Sequence, residues 1–152
     1  MIIDQTEKNE EPIAEIDPDK HPSLVVRYQA VFADVLVIIC LMFLSGYILE
    51  QFDNPPDWIR IVLFFAIWGV YEPVCISLGG TIGNLIMKTR VRKHNNEGQK
   101  PGIGQAIIRY VLKLLLGWIS FLTMSSNDER RAIHDLVSGT VVVNSSYLKK
   151  KV

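Results

Sequence analysis

The sequence predicts a mainly α-helical membrane protein: two transmembrane helices, a third re-entrant or interfacial (or spanning) helix, and a small cytoplasmic β-hairpin-like pair. Three observations predict it. Two apolar runs have the length of a bilayer crossing, a third is interrupted by charge, and the remaining charges are gathered into a few short stretches. Of 152 residues 49% are hydrophobic and 21% charged, yet mean hydropathy is positive, so the two classes must be segregated along the chain. Formal net charge is zero, so only the placement of charge speaks about partners; no nucleic-acid partner is expected.

The first run, residues 31–49, reads VFADVLVIICLMFLSGYIL. Nineteen residues rising about 1.5 Å each reach roughly 28 Å, close to a hydrocarbon core of about 30 Å. Its one charge is Asp34. The second run, residues 58–78, is apolar without a break from Ile61 to Tyr71 and then presents Glu72 and Pro73. Proline lacks an N–H, so Pro73 should bend the helix and free a carbonyl about one turn earlier. The short link, residues 50–57, is acidic and holds Pro55 and Pro56, which predicts a tight loop.

Beyond residue 78 the pattern changes. GGTIGN at 79–84 ends the helix; it lacks the Gly-Lys-Ser/Thr ending of a phosphate-binding loop and reads as a terminus where backbones approach closely. Residues 86–93, IMKTRVRK, alternate apolar with basic, and Asn95-Asn96-Glu97-Gly98 signals a turn. The β-branched run at 140–143, TVVV, is the expected strand partner. In the third apolar segment, residues 103–124, Arg109 and Lys113 lie one turn apart on one face. Only the eleven residues 114–124 follow without charge, and Gly117 interrupts them, which favours partial insertion over a full crossing.

Placement of Lys and Arg predicts orientation. The 50–57 loop has none, residues 88–100 carry five, and the C-terminal part carries Arg130, Arg131, Lys149, Lys150 and Lys151. The positive-inside rule puts the middle segment, and by helix count the N-terminus, in the cytoplasm. The organisation expected is an acidic cytoplasmic tail over 1–22, a membrane domain over 23–146 and a basic tail over 147–152. The first twenty residues hold seven acids, no aromatic residue and two prolines, a composition too poor in apolar surface to order itself and unlike a signal peptide. Cys40 and Cys75, inside apolar runs without CxxC spacing, read as small buried hydrophobes.

Asp34 and Glu72 sit in antiparallel helices at similar depth, where an uncompensated charge costs on the order of 3 kcal/mol. They are expected to share a cavity or basic partners, for which Arg27, Arg109 and Lys113 are available. Either the acids are pinned by basic residues and fix helix docking, or they form a site for a proton or small cation. A third reading makes Arg109 and Lys113 binders of a lipid phosphate. In DERRAIHDLVSGT, Asp128, Arg131 and Asp135 lie at helical spacings that allow pairing, and Gly139 should end a short helix. His134 beside Asp135 has half of a catalytic dyad, but no motif supplies a nucleophile.

Together these residues resemble the RDD family of prokaryotic membrane proteins, named for one arginine and two aspartates. Arg27 and Asp34 in RYQAVFAD match the arginine and first aspartate, and Asp135 in RRAIHDLVSGTVVV matches the second. Gly80, Thr81 and Gly83 correspond to the family's glycine-threonine-glycine element, and Arg109 in AIIRYVLK to its later basic residue. The resemblance covers roughly residues 21–143. Two departures stand out: Asn84 where a lysine usually follows the glycine element, and a shorter apolar stretch before the final aspartate. The resemblance implies a transport-related role, some members being reported as sodium-proton antiporters. The expectation is a cell-membrane transport component handling Na+ or H+ at Asp34, Glu72 and Asp135, with Arg27, Arg109, Lys113 and Arg131 as charge partners. No cofactor and no enzymatic activity are expected, and so thin a protein should work as a homo-oligomer. The alternative is a non-transporting scaffold that docks a partner through its cytoplasmic face.

Overall fold

The computed structural model describes residues 20–125 and 129–150, so the acidic tail before Lys20, Asp128 and the last two residues lie outside the described chain. Helix α1 runs Leu24–Leu49, and the Ser23 hydroxyl caps it by accepting from the Val26 N–H at 3.4 Å. Its 26 residues reach roughly 39 Å, so the first two turns, which carry Arg27, extend past the apolar run. Helix α2, Asp57–Ser77, starts after Pro56 and contains Pro73. Pro73 cannot bond the carbonyl of Gly69, and at the neighbouring carbonyl, Trp68, the Tyr110 hydroxyl donates at 2.8 Å.

Both helices are long and apolar enough to cross a membrane. Of their most apolar windows only 6% and 11% of residues are buried, so neither is the core helix of a soluble fold. Phe43 is 77% exposed and Phe65 62%, apolar surface that water would not tolerate in such quantity. Arg27 and Asp34 tie α1 to residues more than forty positions away.

Short elements close the open end of this pair. Gly79 and Gly80 take positive φ, 113° and 151°, and turn the chain out of α2 into α3, Ile82–Ile86, capped by Thr81. Strand β1, Thr89–Lys93, follows, then α4, Ile103–Leu116. The 103–124 segment is not one helix: Gly117, at φ 52°, stops α4 and a 3₁₀ run, Gly117–Ser125, continues at another pitch. Helix α5, Ile133–Ser138, ends at left-handed Gly139, and β2, Thr140–Asn144, and α6, Ser145–Lys150, complete the chain. β1 and β2 pair antiparallel with Val91 opposite Val142. The pairing is the one expected, but it is no hairpin, since α4, the 3₁₀ run and α5 separate the strands. The strand also begins at Thr89 rather than residue 86, because Thr81 nucleates α3 over the preceding residues.

Two small apolar clusters hold these elements. Ile76, Val91, Ala106 and Val142 form one; Phe121, Met124 and Ala132, packed with Leu24 and Val31, form the other. The cysteine expectation is corrected: Cys40 is exposed and Cys75 only partly buried. With two long helices there is little protein to bury an apolar side chain against, and the outward face takes it.

Candidate functional site

Where the short helices α3 and α5 meet α1 and α4, buried charge accumulates. Asp34, 7% exposed, accepts three hydrogen bonds, all from uncharged donors. The Thr81 hydroxyl donates at 2.5 Å, the Gly83 N–H at 2.8 Å and the Tyr71 hydroxyl at 2.9 Å. The close approach explains the glycine: a Cβ on Gly83 would overlap the Ala30 carbonyl and stand 2.8 Å from the Asp34 carboxyl carbon. Asp34 therefore ties α1 to α2 and α3 through uncharged donors, and Arg27, one of the basic partners available to it, bonds elsewhere.

Arg27 turns instead to Asp135. Its Nη2 lies 2.5 Å from Asp135 Oδ2, and Arg109 bonds the other carboxylate oxygen, Oδ1. Asp135 is fully buried, and the two arginines are 5% and 6% exposed. Oδ2 also accepts the Ala132 N–H at 3.1 Å, which caps α5 and fixes the carboxylate. Arg27 donates further to the Arg130 carbonyl at 3.1 Å and lies over the Phe121 ring at 5.5 Å. One turn beyond Arg109, Lys113 holds Glu72 with both oxygens, at 2.7 and 2.8 Å. Arg131 precedes α5 rather than lying on it, so the helical spacing read for it does not apply; its guanidinium donates to the Thr140 and Asp135 carbonyls.

These groups enclose a cavity of about 20 Å³, room for about one water or similarly sized ion. Asp34 and Glu72 line it together, as their depth predicted, with Arg27, Arg109, Lys113 and Asn84. Val31 and Phe121 from one apolar cluster and Ile76 from the other also face it. Arg109 Nε is buried beside this space with no hydrogen-bond partner among the described residues. Counting Asp135 behind the arginines, three cations face three carboxylates.

Sequence reasoning did not find Tyr71 or Ser120. The Ser120 hydroxyl lies 2.6 Å from His134 Nδ1 and accepts the His134 backbone N–H at 3.1 Å. Serine and histidine are 0% and 1% exposed, and the pair clamps the 3₁₀ run to α5. No spacing motif announces a contact across fourteen residues of irregular chain.

Burial, and then the charges of Arg109, Arg27 and Lys113, push the His134 pKa far down. Burial also lowers that of His21, whose Nδ1 sits 3.1 Å from the Val142 carbonyl. The folded state thus resists protons that the unfolded chain accepts below the ordinary 6.5. Stability is then full above that value and lost as pH falls through it. Thermal unfolding in detergent between about pH 7 and about pH 5 should show this loss, with a shallower slope in His134→Gln; equal slopes would refute the assignment.

A pair of bilayer-length helices locked by a buried arginine–aspartate network defines a membrane-associated helical domain. The model of the RDD family matches residues 21–139, and the chain belongs to that family. The match covers well over half of the chain and includes Arg27, Asp34, Arg109 and Asp135. No curated protein and no solved structure matches the sequence.

Proposed function

We propose that this is a multi-pass membrane protein, N-terminus in the cytoplasm, that exchanges a small cation for a proton at the Glu72–Lys113 pair. The observation that carries the reading is that, of the three acids at the cavity, only Glu72 is paired with a cation able to give up a proton. Asp135 is fixed by guanidiniums, which stay charged, and Asp34 by neutral donors. A monovalent cation arriving at Glu72 displaces the Lys113 ammonium. The cavity already contains the Arg27 and Arg109 guanidiniums, so an unpaired third cation is unfavourable there, and Lys113 releases its proton. One cation enters and one proton leaves, the lysine becomes neutral, and the charge of the cavity is unchanged. The reverse step returns the proton to Lys113 and expels the cation.

The basic run from Lys88 to Lys100 supports a cytoplasmic position for β1 and for the start of α1. A homo-oligomer is the working unit, since two crossings alone cannot enclose a pathway.

Purified protein in lipid vesicles, given a sodium gradient and an interior pH dye, should move protons faster than empty vesicles. Glu72→Gln should reduce that flux to the empty-vesicle level while retaining its fold. Wild-type flux equal to that of empty vesicles, or an unaffected variant, would favour a scaffold that docks a partner.

A further inference from the structure

A second site lies apart from the ionic cavity, in a groove between α3, β1 and α6 with a volume of about 450 Å³. That is within the size range of small-ligand sites. Lys88, Arg90 and Lys149 line it, with Ser145 and the apolar side chains Leu85 and Met87, and no acid does. None of the three basic residues has a carboxylate within ion-pair distance among the described residues. The Ser145 hydroxyl is buried with no hydrogen-bond partner among them, a cost that a bound acceptor would remove.

The groove is held in shape. Lys88 takes a left-handed conformation, φ 54°, and its carbonyl accepts the Ser145 N–H at 2.7 Å, joining the start of β1 to the start of α6. Ile82, Leu85 and Ile86 of α3 are 40%, 46% and 56% exposed, so an apolar rim borders the charged floor. A water-soluble anion would need the charges but not this rim.

We propose that the groove binds an anionic phospholipid. Its phosphate is held by Lys88, Arg90, Lys149 and the Ser145 hydroxyl, and its acyl chain follows Leu85 and Met87 into the bilayer. The site is independent of cation exchange at Glu72.

The test is lipid binding to the full-length protein in detergent, titrated by native mass spectrometry with phosphatidylglycerol and phosphatidylcholine of identical chains. Phosphatidylglycerol should bind about tenfold more tightly. Arg90→Gln with Lys149→Gln should abolish the preference, while Lys93→Gln with Lys100→Gln, which removes equal charge elsewhere, should keep it. Equal losses in both doubles would mean a general basic surface and overturn the site. Displacement by inorganic phosphate at concentrations equal to the lipid would mark a free-phosphate site and overturn the lipid assignment. Melting temperatures check the fold. Should the Arg90 change unfold the protein, Lys149→Gln, on the exposed terminal helix, carries the comparison alone.

Discussion

Asp135→Asn is expected to destabilise the protein by about 3–5 kcal/mol, enough to abolish a folded population in most marginal proteins. Asparagine has nearly the same shape, so packing survives and charge alone changes. Two guanidiniums with exposures of 5% and 6% would be left without their carboxylate. The α5 cap would weaken as well, because Oδ2 accepts the Ala132 N–H. Adding Arg109→Met to Asp135→Asn should recover part of the loss, since one fewer buried cation then lacks a partner. Thermal or denaturant unfolding in detergent reads both. Strict additivity of the single changes would mean that the three residues are not energetically coupled.

Gly83→Ala should cost about 1–3 kcal/mol, the usual penalty for forcing an extra methyl into a packed contact. The new Cβ would overlap the Ala30 carbonyl, which belongs to helix backbone and cannot swing aside as a long side chain does. Relief by moving α3 away from α1 would stretch the Gly83 N–H bond to Asp34 and draw Thr81 from the same carboxylate. Gly104→Ala is the control, because a Cβ there meets nothing within 4 Å, and the helical position should tolerate or gain from it. Comparable losses at the two glycines would show that the close contact is not what requires Gly83.

Much of this arrangement was legible before any coordinates. Run length and charge segregation predicted α1 and α2, and the β-branched 140–143 run found its partner because alternating patterns must pair. Gly117 announced the break in the third segment. Arg109 and Lys113, four residues apart, were bound to face one way on a helix, and the structure sends both into one cavity. Which acid each would meet was not legible. Asp34, Glu72 and Asp135 offer the same chemistry, and the choice depends on how far α5 reaches under α1, a tertiary quantity without a local signal. Tyr71 escaped notice because an aromatic residue in an apolar run reads as lipid-facing surface, although its hydroxyl bonds Asp34. Arg131 was misplaced for a related reason. The helical spacing assumed for it fails because Arg130 takes a left-handed conformation, φ 48°, and α5 begins only at Ile133.

The proposed exchange depends on Lys113 as a proton donor rather than as a mere positive charge, and one substitution separates these roles. Arginine at 113 keeps the charge and can hold the Glu72 carboxylate with two hydrogen bonds, yet it does not give up a proton in a protein. Proton release on adding sodium to weakly buffered, vesicle-reconstituted Lys113→Arg should therefore vanish while the melting temperature stays near that of the wild type. Proton release at the wild-type level from a folded Lys113→Arg protein would contradict the account.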